Sequence, residues 1–277
     1  MRLILLTALT MCAFAANSLL NRAALGDPAM GPASFAAIRL ASGALALALL
    51  LAWRKGARPT ASLWGTLSLA LYAIGFSFAY ITLDAGVGAL ILFGGVQITM
   101  FAGALFKGEA VSRNRWLGAI IAFAGLAYLL WPTSFTAPPL TGSALMLAAA
   151  LGWGVYSLIG RQASDPLAAT GGNFLAAAPI ALLLWAFAQD STTPTGIALA
   201  ITSGVVTSAL GYALWYAVLP RIDATIAAIA QLTVPIIAVA GGALLLAEPL
   251  TLRFAIAATA VVGGVLISLR KASTPQS

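Results

Sequence analysis

Three kinds of side chain in this 277-residue chain are placed where they could handle a small molecule. The first are aromatic rings at helical spacing. Tyr72, Phe76 and Tyr80 fall at i, i+4 and i+8, Tyr212, Trp215 and Tyr216 share one helix face, and Trp153 and Tyr156 stand one turn apart. Such faces offer surfaces for stacking, with hydroxyls or an indole N–H to orient a flat, partly apolar solute. The competing reading is packing or an interfacial belt, strongest for Tyr80 and Tyr216 near the ends of their runs. The second kind are amides. Asn17, Gln97 and Gln231 interrupt apolar runs, where an unsatisfied amide is costly. Each donates and accepts, which suits both ends of a zwitterion. An ordinary interhelical hydrogen bond, on average about 0.6 kcal/mol in membranes, is the alternative. The third is Arg39, whose guanidinium stays charged and forks towards the two oxygens of a carboxylate. It begins about two turns inside its run, so snorkelling to the outer surface or pairing with nearby carbonyls is the favoured expectation, and a carboxylate contact the second.

The acids do not join this set. Glu109 and Glu248 each stand three residues before a hydroxyl, Ser112 and Thr251, that can cap the next helix, whose dipole favours negative charge nearby. Asp27, Asp84, Asp165, Asp190 and Asp223 also fall at or beside links, and there is no histidine. A conventional proton relay therefore lacks its usual groups. No phosphate loop, zinc signature, nucleophile elbow or catalytic triad is present in the sequence, so neither an enzyme nor a cofactor or metal is expected.

The elements that hold these residues must be membrane helices. The chain is 61% hydrophobic and 8% charged, with a mean hydropathy of +1.01. A soluble domain of this size could not bury so much apolar surface. Ten apolar runs can be marked, at 3–22, 32–53, 62–83, 86–106, 113–131, 141–160, 167–188, 195–219, 224–246 and 252–270. Their lengths suit helices rather than barrel strands. Arg2 and the first run also resemble a cleaved signal peptide, but the end of that run is echoed by the sixth, which argues for retention. The single cysteine, Cys12, excludes an intramolecular disulfide. A net charge of +7 would suggest nucleic acid in a soluble protein. Here all but three of the 14 Lys and Arg, namely Arg22, Arg39 and Arg253, fall on one predicted side. The positive-inside rule then puts both termini in the cytoplasm.

The runs also repeat. Ser18-Leu19-Leu20-Asn21-Arg22 is echoed by Ser157-Leu158-Ile159-Gly160-Arg161, each with Asp-Pro following, and Gly103–Ser112 matches Gly242–Thr251 at an offset of 139. Gly75, Phe76 and Tyr80 align with Gly211, Tyr212 and Tyr216 at an offset of 136. Two related units that each cross five times enter the bilayer from opposite sides, as in carriers that work by alternating access. The expected fold is therefore an all-α membrane protein of ten transmembrane helices in two inverted five-helix repeats. The first repeat is 1–131, a proline-bearing linker is 132–139, the second repeat is 140–270, and a polar tail is 271–277. Gly94, Gly95 and Pro235 are hinge or kink candidates, since small residues let helices slide and proline removes an internal hydrogen bond. Close packing alone would also explain the glycines.

The ten-span architecture, Arg39 in the second run, the "G-E-x-hydrophobic-[ST]" ending around Glu109 and its counterpart Ala247-Glu248-Pro249-Leu250-Thr251 resemble the drug/metabolite transporter superfamily, EamA type, over essentially the whole chain. Within it, Gly95-Val96-Gln97-Ile98-Thr99-Met100 is most similar to the YddG-type aromatic amino-acid exporters. Many relatives carry proline in this fourth span, whereas this chain has Val96 there and keeps only the second unit's Pro235. The resemblance implies a multi-pass inner-membrane exporter with a central cavity and peripheral fifth and tenth helices. Its implied cargo is amino acids, aromatic and other neutral ones above all. The absence of an embedded carboxylate points to an uncoupled facilitator or exchanger. A proton-coupled drug exporter of the same superfamily is the nearest alternative, and a channel or membrane-embedded enzyme the alternative of another class. The expected partners are a small-molecule substrate and lipid.

Overall fold

The computed structural model describes residues 2–54, 58–106, 108, 112–131, 137–160, 162–218, 221 and 224–268. Glu109, part of the expected linker (132–136) and the polar tail lie outside them, as do several charges placed on the predicted cytoplasmic side, Lys55, Lys107, Arg161, Arg270 and Lys271. Ten helices are present among the described residues: α1 (Arg2–Leu25), α2 (Pro32–Trp53), α3 (Leu63–Ala79), α4 (Ala85–Phe106), α5 (Arg113–Leu130), α6 (Leu140–Gly160), α7 (Pro166–Ala188), α8 (Pro194–Val218), α9 (Ala224–Leu245) and α10 (Leu252–Ser268). There is no strand among the described residues. Among the described residues, six helices, α1, α2, α4, α6, α7 and α8, contain stretches long and apolar enough to cross a membrane. Large apolar side chains such as Leu49, Trp64, Phe123, Leu183 and Leu244 face outwards, as they must when the surrounding solvent is hydrocarbon.

Several helices start where a side-chain oxygen accepts from their first backbone amides. Ser62 Oγ accepts from Gly65 N at 3.0 Å, Thr193 Oγ1 from Gly196 N at 3.0 Å and Asp165 Oδ1 from Ala168 N at 3.2 Å. Ser112 and Thr251 cap α5 and α10 as expected, accepting from Arg115 N and Phe254 N. Proline occupies the first turn of α2, α7 and α8, where no amide donor is needed. The third helix ends earlier than the expected run to residue 83. The amides of Thr82 and Leu83 turn back onto the Ala79 carbonyl, so the chain leaves the helix at Tyr80.

Packing interleaves the two halves of the sequence. The most extensive pairs are α5 with α10, α3 with α6, α2 with α7, α1 with α8, α2 with α8 and α4 with α6, followed by α4 with α9 and α1 with α9. Helix α1 lies along the whole of α8, and α2 packs on its first segment and its middle. Helices α5 and α10 pack chiefly on each other, at the edge of the bundle. Gly118 and Gly264 make that approach possible, because a Cβ on Gly118 would lie 2.2 Å from the Gly264 carbonyl oxygen. Helix α8 is not uniformly α-helical. Ser203–Leu210 winds as a π-helix between two α-helical ends, a feature often found where side chains serve a site.

At one end of the bundle, acids from the second half of the chain cap helices of the first. The Asp190 carboxylate accepts from Ala33 N at 2.8 Å and Ser34 N at 3.0 Å, closing the start of α2. Glu248 accepts from Ala85 N at 2.8 and 2.9 Å, closing the start of α4. The expectation that Glu248 serves the helix following it is corrected: Thr251 caps that helix, and Glu248 reaches across to α4. Arg22 lies 3.4 Å from Glu248 and 3.6 Å from Asp84, and donates to the carbonyls of Tyr80 and Ile81. Burial raises the proton affinity of the Glu248 carboxyl above its ordinary value, and the Ala85 amide and Arg22 offset this only in part.

Candidate functional site

Where α1, α3, α6 and α8 meet, rings gather around a small void. Trp153 on α6 is at its centre, with ring centroids 4.9 Å from both Tyr72 and Tyr212, 5.7 Å from Tyr156 and 6.2 Å from Phe14. Phe14 also meets Tyr212 at 5.9 Å and Trp215 at 6.0 Å, and Phe174 meets Tyr212 at 5.8 Å. Most of these contacts are tilted or edge-on, the arrangements that ring quadrupoles favour. Phe14, Asn17, Tyr72, Phe76, Leu92, Phe93, Trp153, Thr207 and Tyr212 enclose the void, whose volume is about 10 Å³. That is roughly one water. A ring-sized solute can enter only when these walls part.

One side of the void is polar, and its centre is the Tyr72 hydroxyl. It accepts from Arg39 Nη2 at 3.1 Å and from Asn17 Nδ2 at 3.3 Å. Asn17 Oδ1 accepts from Ser203 Oγ at 2.7 Å and Thr207 Oγ1 at 2.9 Å, both on the π-helical stretch of α8. Asn21 extends the network, donating to the Asn17 carbonyl and to Ser203 Oγ and accepting from Ser77 Oγ. Arg39 Nε donates to Ser208 Oγ at 3.1 Å. The guanidinium carbon is 5.2 Å from the ring centres of both Tyr72 and Phe76, within cation–π range.

The depth of Arg39 corrects the snorkelling expectation. The residue is 1% exposed. Because α2 crosses α8 closely, with a Cβ on Gly204 falling 2.3 Å from the Arg39 carbonyl oxygen, its side chain is directed among α3 and α8. It belongs to none of the ion pairs among the described residues. Its Nη1 is buried without a hydrogen-bond partner, as is the Tyr212 hydroxyl.

The other sequence candidates divide. Tyr72, Phe76, Trp153, Tyr212 and Asn17 line the void, while Tyr156 and Trp215 stand behind it, Tyr156 donating to Thr170 Oγ1 at 3.3 Å. Tyr80 is fully buried but outside the lining. Its ring packs edge-on against Phe76 at 4.7 Å, and its hydroxyl donates to the Ala85 carbonyl, so it is not part of an interfacial belt. Gln97 and Gln231 are half-buried on α4 and α9 and do not line the void. Helix α4 runs unbroken through Gly94 and Gly95, where added Cβ atoms would lie 3.1 Å from Leu126 and 2.7 Å from Ala150. These are points of close helix approach. Pro235 lies inside a continuous α9. Sequence reasoning missed Phe14, Phe174, Asn21 and the hydroxyls of Ser77, Ser203, Thr207 and Ser208. The cluster Ser203-Gly204…Thr207-Ser208, small and polar within an apolar run, was the available signal.

The helical bundle with its outward-facing apolar side chains is that of a multi-pass membrane protein, and the closed aromatic chamber with its buried polar floor is the candidate site. Residues 140–270 match the model of the EamA-like transporter family. The chain is 50% identical to an uncharacterized protein of Pseudomonas aeruginosa, an alignment covering 97% of this chain and 94% of that one. It is 23% identical to an uncharacterized transporter of Archaeoglobus fulgidus, over 87% and 90% of the two chains. It is also 26% identical to a probable amino-acid metabolite efflux pump of Salmonella typhimurium, over 74% of each. One solved structure, titled only as a crystal structure of a protein, shares the fold with a TM-score of 0.66 at 18% identity, covering 94% of this chain and 97% of that one. Residues 140–270 thus belong to the EamA-like transporter family, whose members are transporters and not enzymes.

Proposed function

We propose that this protein is an inner-membrane carrier that exports small metabolites, chiefly aromatic and other neutral amino acids, by alternating access. It works as an uncoupled facilitator or exchanger, with both termini in the cytoplasm. The observation that carries the reading is the chamber itself. Rings from α1, α3, α4, α6 and α8 enclose it, a polar floor orients what enters, and no carboxylate is among its lining residues. The efflux-pump relative from Salmonella supports the amino-acid class.

The pairing of helices supports two inverted units divided near residues 132–139. Exchanging each helix with the one five places along maps α3–α6 onto α8–α1, α4–α6 onto α9–α1 and α2–α8 onto α7–α3, all of which pack together. The pairs α2–α7, α4–α9 and α5–α10 map onto themselves. Two such units rocking about the chamber would open it to each side in turn. Direction then follows the solute gradient.

Purified protein in proteoliposomes, assayed against a panel of amino acids with and without a pH gradient, tests the reading. Saturable flux of aromatic amino acids down their own gradient, unaffected by pH difference, is expected. Accumulation driven by the pH gradient would contradict the uncoupled mechanism, and no flux of any amino acid would contradict the substrate class.

A further inference from the structure

Beside the chamber floor, behind its lining residue Tyr72, stands Arg39, which can only donate, and the floor itself holds the Tyr212 hydroxyl, which can donate or accept. Arg39 Nη1 and the Tyr212 hydroxyl are buried with no partner. The Tyr72 oxygen already accepts from Arg39 and Asn17, which fills its acceptor positions and leaves its own proton to give. The acceptor best placed to hold an ammonium group, Asn17 Oδ1, is occupied by Ser203 and Thr207. A buried guanidinium without an acid is itself unfavourable, because the charge has left water with no compensating partner. Cation–π contacts with Tyr72 and Phe76 and two hydrogen bonds offset part of that. They leave the positive charge uncancelled.

We infer that the transported solute supplies the missing counter-ion: a monocarboxylate whose carboxylate binds Arg39 Nη1 with the Tyr72 and Tyr212 hydroxyls, while its apolar or aromatic body lies against Trp153 and Phe14. This rests on the carrier reading and narrows it, since the acid is what the site recognises and the α-amino group is dispensable. Arg39 and Tyr72 come from the first half of the chain, and Tyr212 and Trp153 from the second. One carboxylate thus holds both halves to a common point. Guanidinium and carboxylate are matched in shape as well as charge, and in a site shielded from water the pair is stronger than at a surface.

The test uses the full chain in proteoliposomes loaded with phenylalanine, with four competitors at the outer face: phenylalanine, 3-phenylpropionate, phenylalaninamide and phenethylamine. Competition by the two acids, with the amide and amine at least tenfold weaker, is expected. Arg39→Gln should erase that discrimination, and Arg39→Lys should keep part of it. Thermal stabilisation of the purified protein by 3-phenylpropionate but not phenethylamine, lost in Arg39→Gln, gives a second readout that requires no flux. If amide or amine competes as well as the acids, the inference is overturned while the carrier reading stands. If Arg39→Gln folds and still prefers acids, the anchor is elsewhere and the inference is overturned too. If neither phenylalanine flux nor stabilisation by any of the four compounds is observed, the inference fails together with the substrate class.

Discussion

Replacing Tyr72 by Phe removes one oxygen and keeps the ring. That oxygen joins two helices of the chamber floor to a third, accepting from Arg39 Nη2 at 3.1 Å and Asn17 Nδ2 at 3.3 Å at a site only 4% exposed. A hydrogen bond from a charged group is worth about 1.5–3 kcal/mol. The amide bond, at the average measured within membranes, adds about 0.6 kcal/mol. The ring that contacts Arg39 at 5.2 Å and Trp153 at 4.9 Å is unchanged, so the expected loss is that of the hydroxyl alone, about 2–4 kcal/mol. Equilibrium unfolding of the purified protein in mixed micelles, wild type against variant, measures it. Combining Tyr72→Phe with Arg39→Met closes a cycle in which the two changes should be coupled by about 1.5–3 kcal/mol. A loss below about 0.5 kcal/mol, or additivity of the two changes within that margin, would refute the placing of this hydroxyl at the centre of the network.

Two further outcomes concern the helix contacts. Gly204→Ala places a Cβ 2.1 Å from Ser42 Oγ and 2.3 Å from the Arg39 carbonyl oxygen, and overpacking of this kind typically destabilises by about 1–3 kcal/mol. Adding Ser42→Gly should not restore the unfolding midpoint, because the backbone oxygen remains; full rescue would show that α2 and α8 are not held as described. Glu248 binds its proton more tightly in this conformation than in water. The stability this contributes is present below the ordinary carboxylate pKa and is lost as pH rises through the raised one. The wild-type unfolding midpoint, compared with that of Glu248→Gln, should therefore improve on acidification towards the carboxylate range; a relative fall would show that the Arg22 and Ala85 contacts dominate instead.

Much of this architecture can be read from the residues, because lipid forces it. Every span must be an apolar helix, and the ten runs coincide with the ten helices to within a few residues. The aromatic faces were legible for the same reason: Tyr72 with Phe76 and Trp153 with Tyr156 share faces through helical period alone. What was hidden depends on which helices meet. Asn17 and Thr207 are 190 residues apart, and nothing local says that α1 and α8 press their polar faces together. Arg39 shows the limit most clearly. Its position along the helix is compatible with reaching the surface, and only the closeness of α8 behind it decides otherwise. The π-helical turn has no periodic signature, yet it contains Ser203, Thr207 and Ser208, the hydroxyls that meet Asn17 and Arg39. Glu248 likewise finds its helix in the other half of the chain, a pairing that no capping pattern within its own sequence would predict.

Counterflow tests the central claim most directly. Proteoliposomes loaded with unlabelled phenylalanine and diluted into a trace of the labelled amino acid should take up label transiently above equilibrium, because a chamber that alternates between faces exchanges one solute for another. A flux of label that is neither saturable nor accelerated by the internal pool would contradict alternating access and indicate an open pathway.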